Sequence, residues 1–137
     1  MTLTLLGRWQ TRLLLLAVFG ALVSIPFAIG FGDFVFFVSI FYVALFGVGW
    51  DILYNHLQTF RWDHDWPAAF QLLAGIWEAV FLIMMFAIVG LPGFSREMPI
   101  SLFLLHYSFV WLAVFTASQT LMRVVFPRWR FQGGQWW

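Results

Sequence analysis

The sequence predicts an all-α integral membrane protein, a four-helix transmembrane bundle built of two hairpins, because it is apolar, poor in charge and divided into four long apolar runs. Of its residues 63% are hydrophobic and 9% are charged, whereas a soluble domain carries about 25% charged residues. A membrane-spanning helix needs about 20 mostly apolar residues, and each run is long enough. The whole chain, residues 1–137, is therefore expected to form a single transmembrane domain.

Glycine and proline residues separate the apolar runs. A Gly-Phe-Gly-Asp link at 30–33 follows the first run, and Pro67 suits the first turn of the third helix. Residues 90–93 end the third helix, and Pro127 follows the fourth run. Pro26 lies inside the first run, where a kink is expected. The helices are therefore expected at about residues 11–30, 34–57, 67–90 and 100–125.

The arginines predict the orientation of the bundle. With four spans both termini lie on one side, which then holds six of the seven arginines, and Arg96 alone lies on the other side. Because cytoplasmic loops are enriched in Lys and Arg, both termini are expected in the cytoplasm. The expected location is the plasma (inner) membrane or another energy-transducing membrane. The six arginines are Arg8, Arg12, Arg61, Arg123, Arg128 and Arg130.

Seven of the nine tryptophans fall near the same end of the bundle as the termini. Tryptophan is enriched where membranes meet water, because its ring is apolar and its N–H needs a polar partner. An interfacial aromatic belt is therefore expected. Its members are Trp9, Trp50, Trp62, Trp66, Trp129, Trp136 and Trp137.

The residue types that the chain lacks exclude several kinds of chemistry. Cysteine is absent, which excludes disulfides, thiolate metal sites and covalently attached haem. Lysine is absent as well, which excludes Schiff-base chemistry. The net charge is only +1 and the arginines are scattered, so no nucleic-acid partner is expected. No catalytic arrangement of serine, histidine and acid is present, and we expect no enzymatic activity.

Polar residues on all four predicted helices fall at a similar depth toward the cytoplasmic side, counting about 1.5 Å of rise per residue. They predict a hydrogen-bonded layer in which an arginine pairs with Asp51. Such a layer either locks the helices together or forms a site for a solute or ion. The candidate residues are Arg12, Asp51, Asn55, Gln71, Gln119 and Arg123.

Glu78 lies almost at the centre of the third predicted helix, with no other ionisable residue nearby in the sequence. A charged group there costs about 3 kcal/mol on insertion scales, so Glu78 is expected to face the bundle and to find a partner. His106 is the nearest basic residue by depth. We therefore expect an intramembrane contact between Glu78 and His106, direct or through one water.

The turn between the second and third helices is rich in charged residues. Arg61 is expected to pair with a carboxylate, and Asp65, ahead of Pro67, is expected to cap the third helix. Asp63, His64 and Asp65 also invite a metal interpretation, but three consecutive residues rarely converge on one ion. We therefore expect a structural turn and no metal.

His56 and His106 raise the question of a pigment or a haem. Their predicted depths differ by about 25 Å, so they are not expected to bind one group together. No cofactor is predicted. A haem or chlorophyll-type pigment held by His56 alone or by His106 alone is a minority alternative.

These observations favour an accessory, assembly or oligomer-forming subunit of a larger membrane complex, because the short loops leave little outside the bilayer. Its expected partners are the lipid bilayer and other membrane subunits or copies of itself. The first alternative is a small transporter or proton-conducting unit that uses the polar layer and Glu78. The second is a pigment- or haem-binding membrane subunit.

Overall fold

The computed structural model describes residues 2–94 and 97–136, which form an all-helical fold with no strand. Four of its helices are long and apolar enough to span a membrane, as is typical of a multi-pass membrane protein. They are α1 (Leu5–Phe31), α2 (Val35–Thr59), α3 (Ala68–Val89) and α4 (Ile100–Val125).

Helix α1 begins at Leu5, earlier than the expected start at about residue 11. The Thr4 hydroxyl accepts a hydrogen bond from Gly7 N at 3.1 Å, and this cap starts the helix before the apolar run does. The helix widens into a π-helical turn at Leu16–Gly20 and continues through Pro26 without ending.

The other helices begin and end close to the expected residues. A π-helical turn, Met85–Val89, ends α3, and Gly90 follows with a φ of 73°, which a residue without a Cβ adopts easily. Thr120, with φ −120° and ψ −74°, breaks the regular geometry of α4, so its last turn, Leu121–Val125, is separate.

The helices form a square in which neighbours in sequence are neighbours in space. Helix α1 packs against α2 and α4, and α3 packs against the same two helices, so α1 and α3 lie on a diagonal. An apolar core fills the half of the bundle farther from the termini. Its buried members are Leu16, Tyr42, Val43, Ala79, Leu82, Phe103, Tyr107 and Val110.

The C-terminal segment folds back over the start of α1. Thr4 N donates to Gly133 O at 2.8 Å, and the Thr11 hydroxyl donates to Gly134 O at 3.0 Å. Gly7 allows this approach, because a Cβ built there would lie 2.7 Å from the Gly134 carbonyl carbon. Both described ends of the chain therefore lie at one end of the bundle.

The loop between α2 and α3 lies at this same end. The Gln58 side-chain amide donates to His64 O at 2.6 Å and to Leu3 O at 3.3 Å, which ties the loop to the N-terminal segment. The two described ends of the chain and this loop together cover one end of the bundle, which we call the terminal end.

The tryptophans at the terminal end form aromatic clusters, but not all of them face outward as a belt would. Trp129 is only 5% exposed, and its Nε1 donates to the Thr11 hydroxyl at 3.0 Å. Trp9 Nε1 donates to Val48 O at 3.1 Å. Trp62, by contrast, is 92% exposed. Trp137 lies outside the described residues. Part of the expected belt therefore holds the helices and the tail together.

Candidate functional site

The inward faces of the four helices bring polar side chains together between the terminal end and the apolar core. On each helix these residues are three, four, seven or eleven apart, which places them on one face. They are Arg8 and Arg12 on α1, Asp51 and Tyr54 on α2, Gln71 and Glu78 on α3, and Tyr107 and Ser118 on α4.

Arg12 binds two carboxylates at once. Its Nε and Nη2 donate to Asp51 at 2.8 and 2.9 Å, and its Nη1 and Nη2 donate to Glu78 at 2.8 and 2.9 Å. Both carboxylates are buried. Two-pronged bonds between a guanidinium and a carboxylate are strong and directional. Arg12, Asp51 and Glu78 thus form a charged cluster that joins α1, α2 and α3.

Gly47 makes room for this cluster. A Cβ built on Gly47 would lie 2.6 Å from Arg12 Cζ, a distance at which the guanidinium must move. Gly47 stands one turn before Asp51 on α2, so the Arg12 side chain passes over a bare stretch of backbone before it reaches the carboxylate. A small residue here is a geometric requirement of the cluster.

The cluster lines a cavity of about 320 Å³ inside the bundle. The exposed lining residues Ala68, Arg123 and Arg130 mark its opening at the terminal end. At the opposite side Leu16 and Val43 line the cavity and also belong to the apolar core. The cavity is therefore accessible from the terminal end and closed by apolar packing on the other side.

A chain of side-chain amides runs along one wall of the cavity. Gln71 Nε2 donates to the Ser118 hydroxyl at 3.2 Å, and Gln119 Nε2 donates to Gln71 Oε1 at 3.1 Å. Arg123 Nη2 then donates to Gln119 Oε1 at 2.8 Å. Helices α3 and α4 are thus joined by hydrogen bonds that extend to the opening.

Arg8 lies one turn before Arg12 and also lines the cavity. It is only 7% exposed, its Nη2 donates to Gln58 Oε1 at 2.5 Å, and its Cζ lies 4.4 Å from the centre of the Trp66 ring. Its Nε has no hydrogen-bond partner among the described residues. Arg8 is therefore a buried cation whose hydrogen bonding is incomplete.

Glu78 and His106 each have another partner in place of the expected contact between them. Glu78 is bound by Arg12, whereas the His106 Nε2 and Nδ1 atoms lie 2.8 and 3.2 Å from the hydroxyls of Ser24 and Ser39. The two serines lie close enough to satisfy both ring nitrogens. The long side chain of Arg12 reaches Glu78, and its charged bonds are stronger than a neutral one. His106 instead joins α1, α2 and α4.

The two histidines considered for a pigment or haem differ in environment. His106 is 1% exposed, and both of its ring nitrogens are already hydrogen-bonded, so ligation would require one of them to be freed. His56 is exposed on α2 and packs edge-on against Phe60 at a centroid distance of 5.1 Å. A cofactor on either residue remains a minority prediction.

Two other sequence expectations concern residues that the cluster does not include. Asn55, expected in the polar layer, does not line the cavity in which the other five residues of that layer lie. Asp65 does not cap α3, because its Oδ1 accepts from Trp66 N at 2.9 Å and the residue that precedes the helix is Pro67. Its Oδ1 thus accepts from the next residue along the chain and not from the first turn of α3.

The loop before α3 is held by a pair of charged residues. Arg61 Nε and Nη2 donate to Asp63 at 2.9 and 2.7 Å, and Asp63 Oδ1 also accepts from Asp65 N at 3.1 Å. The hydrogen bond from Arg61 lowers the pKa of Asp63 and raises the pKa of Arg61. His64 completes the turn with a φ of 48°. Within the described ranges no group of three or more histidines and acids is arranged to hold a metal.

Sequence reasoning missed three residues that shape this site. Arg8 entered the sequence analysis only among the arginines that predict the orientation, although its spacing of four from Arg12 places both on one helix face. Tyr54 lies three residues after Asp51 and therefore on the same face of α2. Gly47 lies one turn before Asp51 on that face. Helical spacing around Arg12 and Asp51 was the signal that would have identified them.

Comparison with protein-family models, with curated proteins and with solved structures finds no match for this chain.

Proposed function

We propose that this chain is a multi-pass membrane protein that binds a small polar solute in the cavity at the terminal end. The observation that carries the proposal is a cavity of about 320 Å³ in which charged and amide side chains from all four helices converge. Intramembrane ionisable residues are costly and mark solute or ion sites. A volume of this size lies at the low end of small-molecule sites, which suits a small solute.

The cluster of Arg12, Asp51 and Glu78 forms the inner wall of this site. Its role is to hold fixed charges where a solute enters and to keep three helices in register. Beyond it, Leu16, Val43 and Val110 close the cavity toward the apolar core. The proposed site is therefore reached from one side of the membrane, and movement of solute across the membrane would require this apolar half to open.

The orientation belongs to the proposal. The six arginines of the described residues lie at or near the terminal end, so the positive-inside rule assigns both termini to the cytoplasm. The two hairpins, α1–α2 and α3–α4, then both open toward the cytoplasm, and the solute enters from that side. The plasma (inner) membrane or another energy-transducing membrane remains the proposed location.

The accessory-subunit interpretation stays a prediction. The helices expose large apolar side chains along their outer faces, such as Leu22, Leu73 and Ile88. Lipid satisfies such faces as well as a partner subunit does. The polar cavity, by contrast, has no equivalent explanation in subunit contacts, and it favours solute binding.

The absence of cysteine allows a direct test of the cavity. Ala74→Cys places a thiol in the cavity lining, and the neighbouring Leu73→Cys, at a position 59% exposed on the outer face, is the matched control. A thiolate reacts with a charged methanethiosulfonate only where water reaches it. Purified variants in lipid nanodiscs are treated with the reagent, and modification is followed by mass spectrometry.

We expect Ala74→Cys to be modified and Leu73→Cys to be protected by lipid. A small polar solute that occupies the cavity slows the modification of Ala74→Cys. Equal protection of both positions in the folded protein would show that the cavity does not admit water, and the proposal would then fail.

A further inference from the structure

We infer that the cavity takes a small monocarboxylate with an apolar body, and that Arg8 is the residue that recognises its carboxylate. This inference rests on the proposed solute-binding function and specifies its ligand. The guanidinium of Arg12 alone binds the carboxylates of both Asp51 and Glu78. Two of the carboxylates that line the cavity are thereby engaged.

Arg8 is left without a carboxylate partner among the described residues. It is more than nine-tenths buried and lines the cavity, and its Nε makes no hydrogen bond. A buried charge with an unsatisfied donor is costly, and an anion in the cavity would remove that cost. Trp66 lies over the guanidinium and Gln58 accepts from its Nη2, so the side chain is held in place to receive a ligand.

The Tyr54 hydroxyl supplies a second donor. It is buried, lines the same cavity and lies beside the Glu78 carboxylate, close enough to interact with it although without a hydrogen bond of regular geometry within the described part of the chain. The Tyr54 ring lies 5.4 Å from the Trp66 ring, which also covers Arg8. Arg8 Nε and the Tyr54 hydroxyl are thus two buried donors beside Trp66 that can turn toward a ligand's oxygen atoms.

The charge of the described lining residues favours a ligand with a single negative charge. Four of them are arginines and three are carboxylates, which gives one positive charge in excess among these residues. The remaining lining is largely apolar and includes Leu15, Trp111 and Val114. A monoanion neutralises the excess, and an aliphatic or aromatic body fits the apolar walls, whereas a phosphate dianion would overcompensate the charge.

The sign of the charge is tested with the Ala74→Cys variant and two reagents of similar size. The sulfonatoethyl methanethiosulfonate is anionic, and the trimethylammonium-ethyl methanethiosulfonate is cationic. Each rate is divided by the rate with a free thiol in solution. We expect the anionic reagent to be favoured by about tenfold, because a charged cleft concentrates ions of opposite sign.

Arg8→Gln should abolish this preference, whereas Arg128→Gln removes the same charge from an exposed residue outside the cavity lining and should preserve it. Preference for the cationic reagent in the wild-type background overturns the inference about the anion. Modification by neither reagent overturns the proposed function itself. If Arg8→Gln does not fold, Tyr54→Phe takes its place and should weaken the ligand protection described next.

Ligand class is tested by protection of Ala74→Cys with benzoate, benzamide, benzylammonium and inorganic phosphate, each at millimolar concentration. Benzoate alone should slow the modification, and Arg8→Gln should remove its effect. Protection by benzamide or benzylammonium equal to that by benzoate would contradict recognition of a carboxylate while supporting a solute site. Protection by phosphate alone would contradict the monocarboxylate, and absence of protection by benzoate would overturn the inference.

Discussion

Arg12 and Glu78 are joined by two hydrogen bonds of 2.8 and 2.9 Å although they lie on diagonally opposed helices. The same guanidinium also binds Asp51 on the helix between them. One cation therefore compensates two buried carboxylates, and the geometry of three helices depends on it.

Removal of the Arg12 charge alone should destabilise the fold more than removal of all three charges of the cluster. We expect Arg12→Leu to destabilise the fold by about 3–5 kcal/mol, because two buried carboxylates lose their counter-charge. The triple variant with Asp51→Asn and Glu78→Gln removes all three charges and should regain most of that loss. Thermal unfolding in detergent, followed by circular dichroism, measures both. An Arg12→Leu variant as stable as the wild type would contradict the role of the cluster.

Gly47 and Gly49 offer a matched pair on α2. Gly47→Ala forces a Cβ against Arg12 and should destabilise the protein by about 1–3 kcal/mol, as overpacked sites do. Nothing lies within 4 Å of a Cβ at Gly49, so Gly49→Ala should be neutral or should stabilise the helix by up to about 1 kcal/mol. The measurement is the melting temperature of each variant. Equal shifts for Gly47→Ala and Gly49→Ala would show that the cluster does not require a glycine at position 47.

The sequence predicted four helices at nearly their observed positions, because apolar length and the punctuation by Pro67 and Gly90 are local signals. It also placed Arg12 and Asp51 in one layer, since helical rise is constant. Both inferences needed only positions along a helix. Neither required knowledge of how the helices are rotated or which side chain fills which space.

The partner of Glu78 could not be predicted from positions along the helices, and the reason is physical. The cap at Thr4 starts α1 earlier than the apolar run suggests, which moves the midpoint of the helix toward Arg12 by about 4 Å. The extended arginine side chain then covers the remaining difference in depth. His106, the expected partner, is satisfied by two serines whose positions only the packed bundle reveals.

The hydrogen bonds of His106 should stabilise the half of the bundle away from the cavity. Ser24→Ala removes one of them and leaves a buried ring nitrogen unpaired, so we expect a loss of about 1 kcal/mol. Ser108, on the exposed face of the same helix as His106, is the control, and Ser108→Ala should have no measurable effect. The measurement is thermal unfolding in detergent without a chemical denaturant. A Ser24→Ala variant indistinguishable from Ser108→Ala would show that the contact contributes nothing.

The orientation can be tested without a reporter fusion, again because the chain lacks cysteine. Gln132→Cys lies on the exposed C-terminal segment at the terminal end, and Glu97→Cys lies on the exposed loop between α3 and α4 at the other end. If the arginine distribution sets the topology, a membrane-impermeant thiol reagent added to intact cells should modify Glu97→Cys and leave Gln132→Cys unmodified. After the membrane is permeabilised, both positions should react. Modification of Gln132→Cys in intact cells would place the cavity opening outside the cytoplasm, and the proposed solute would then have to arrive from the other side of the membrane.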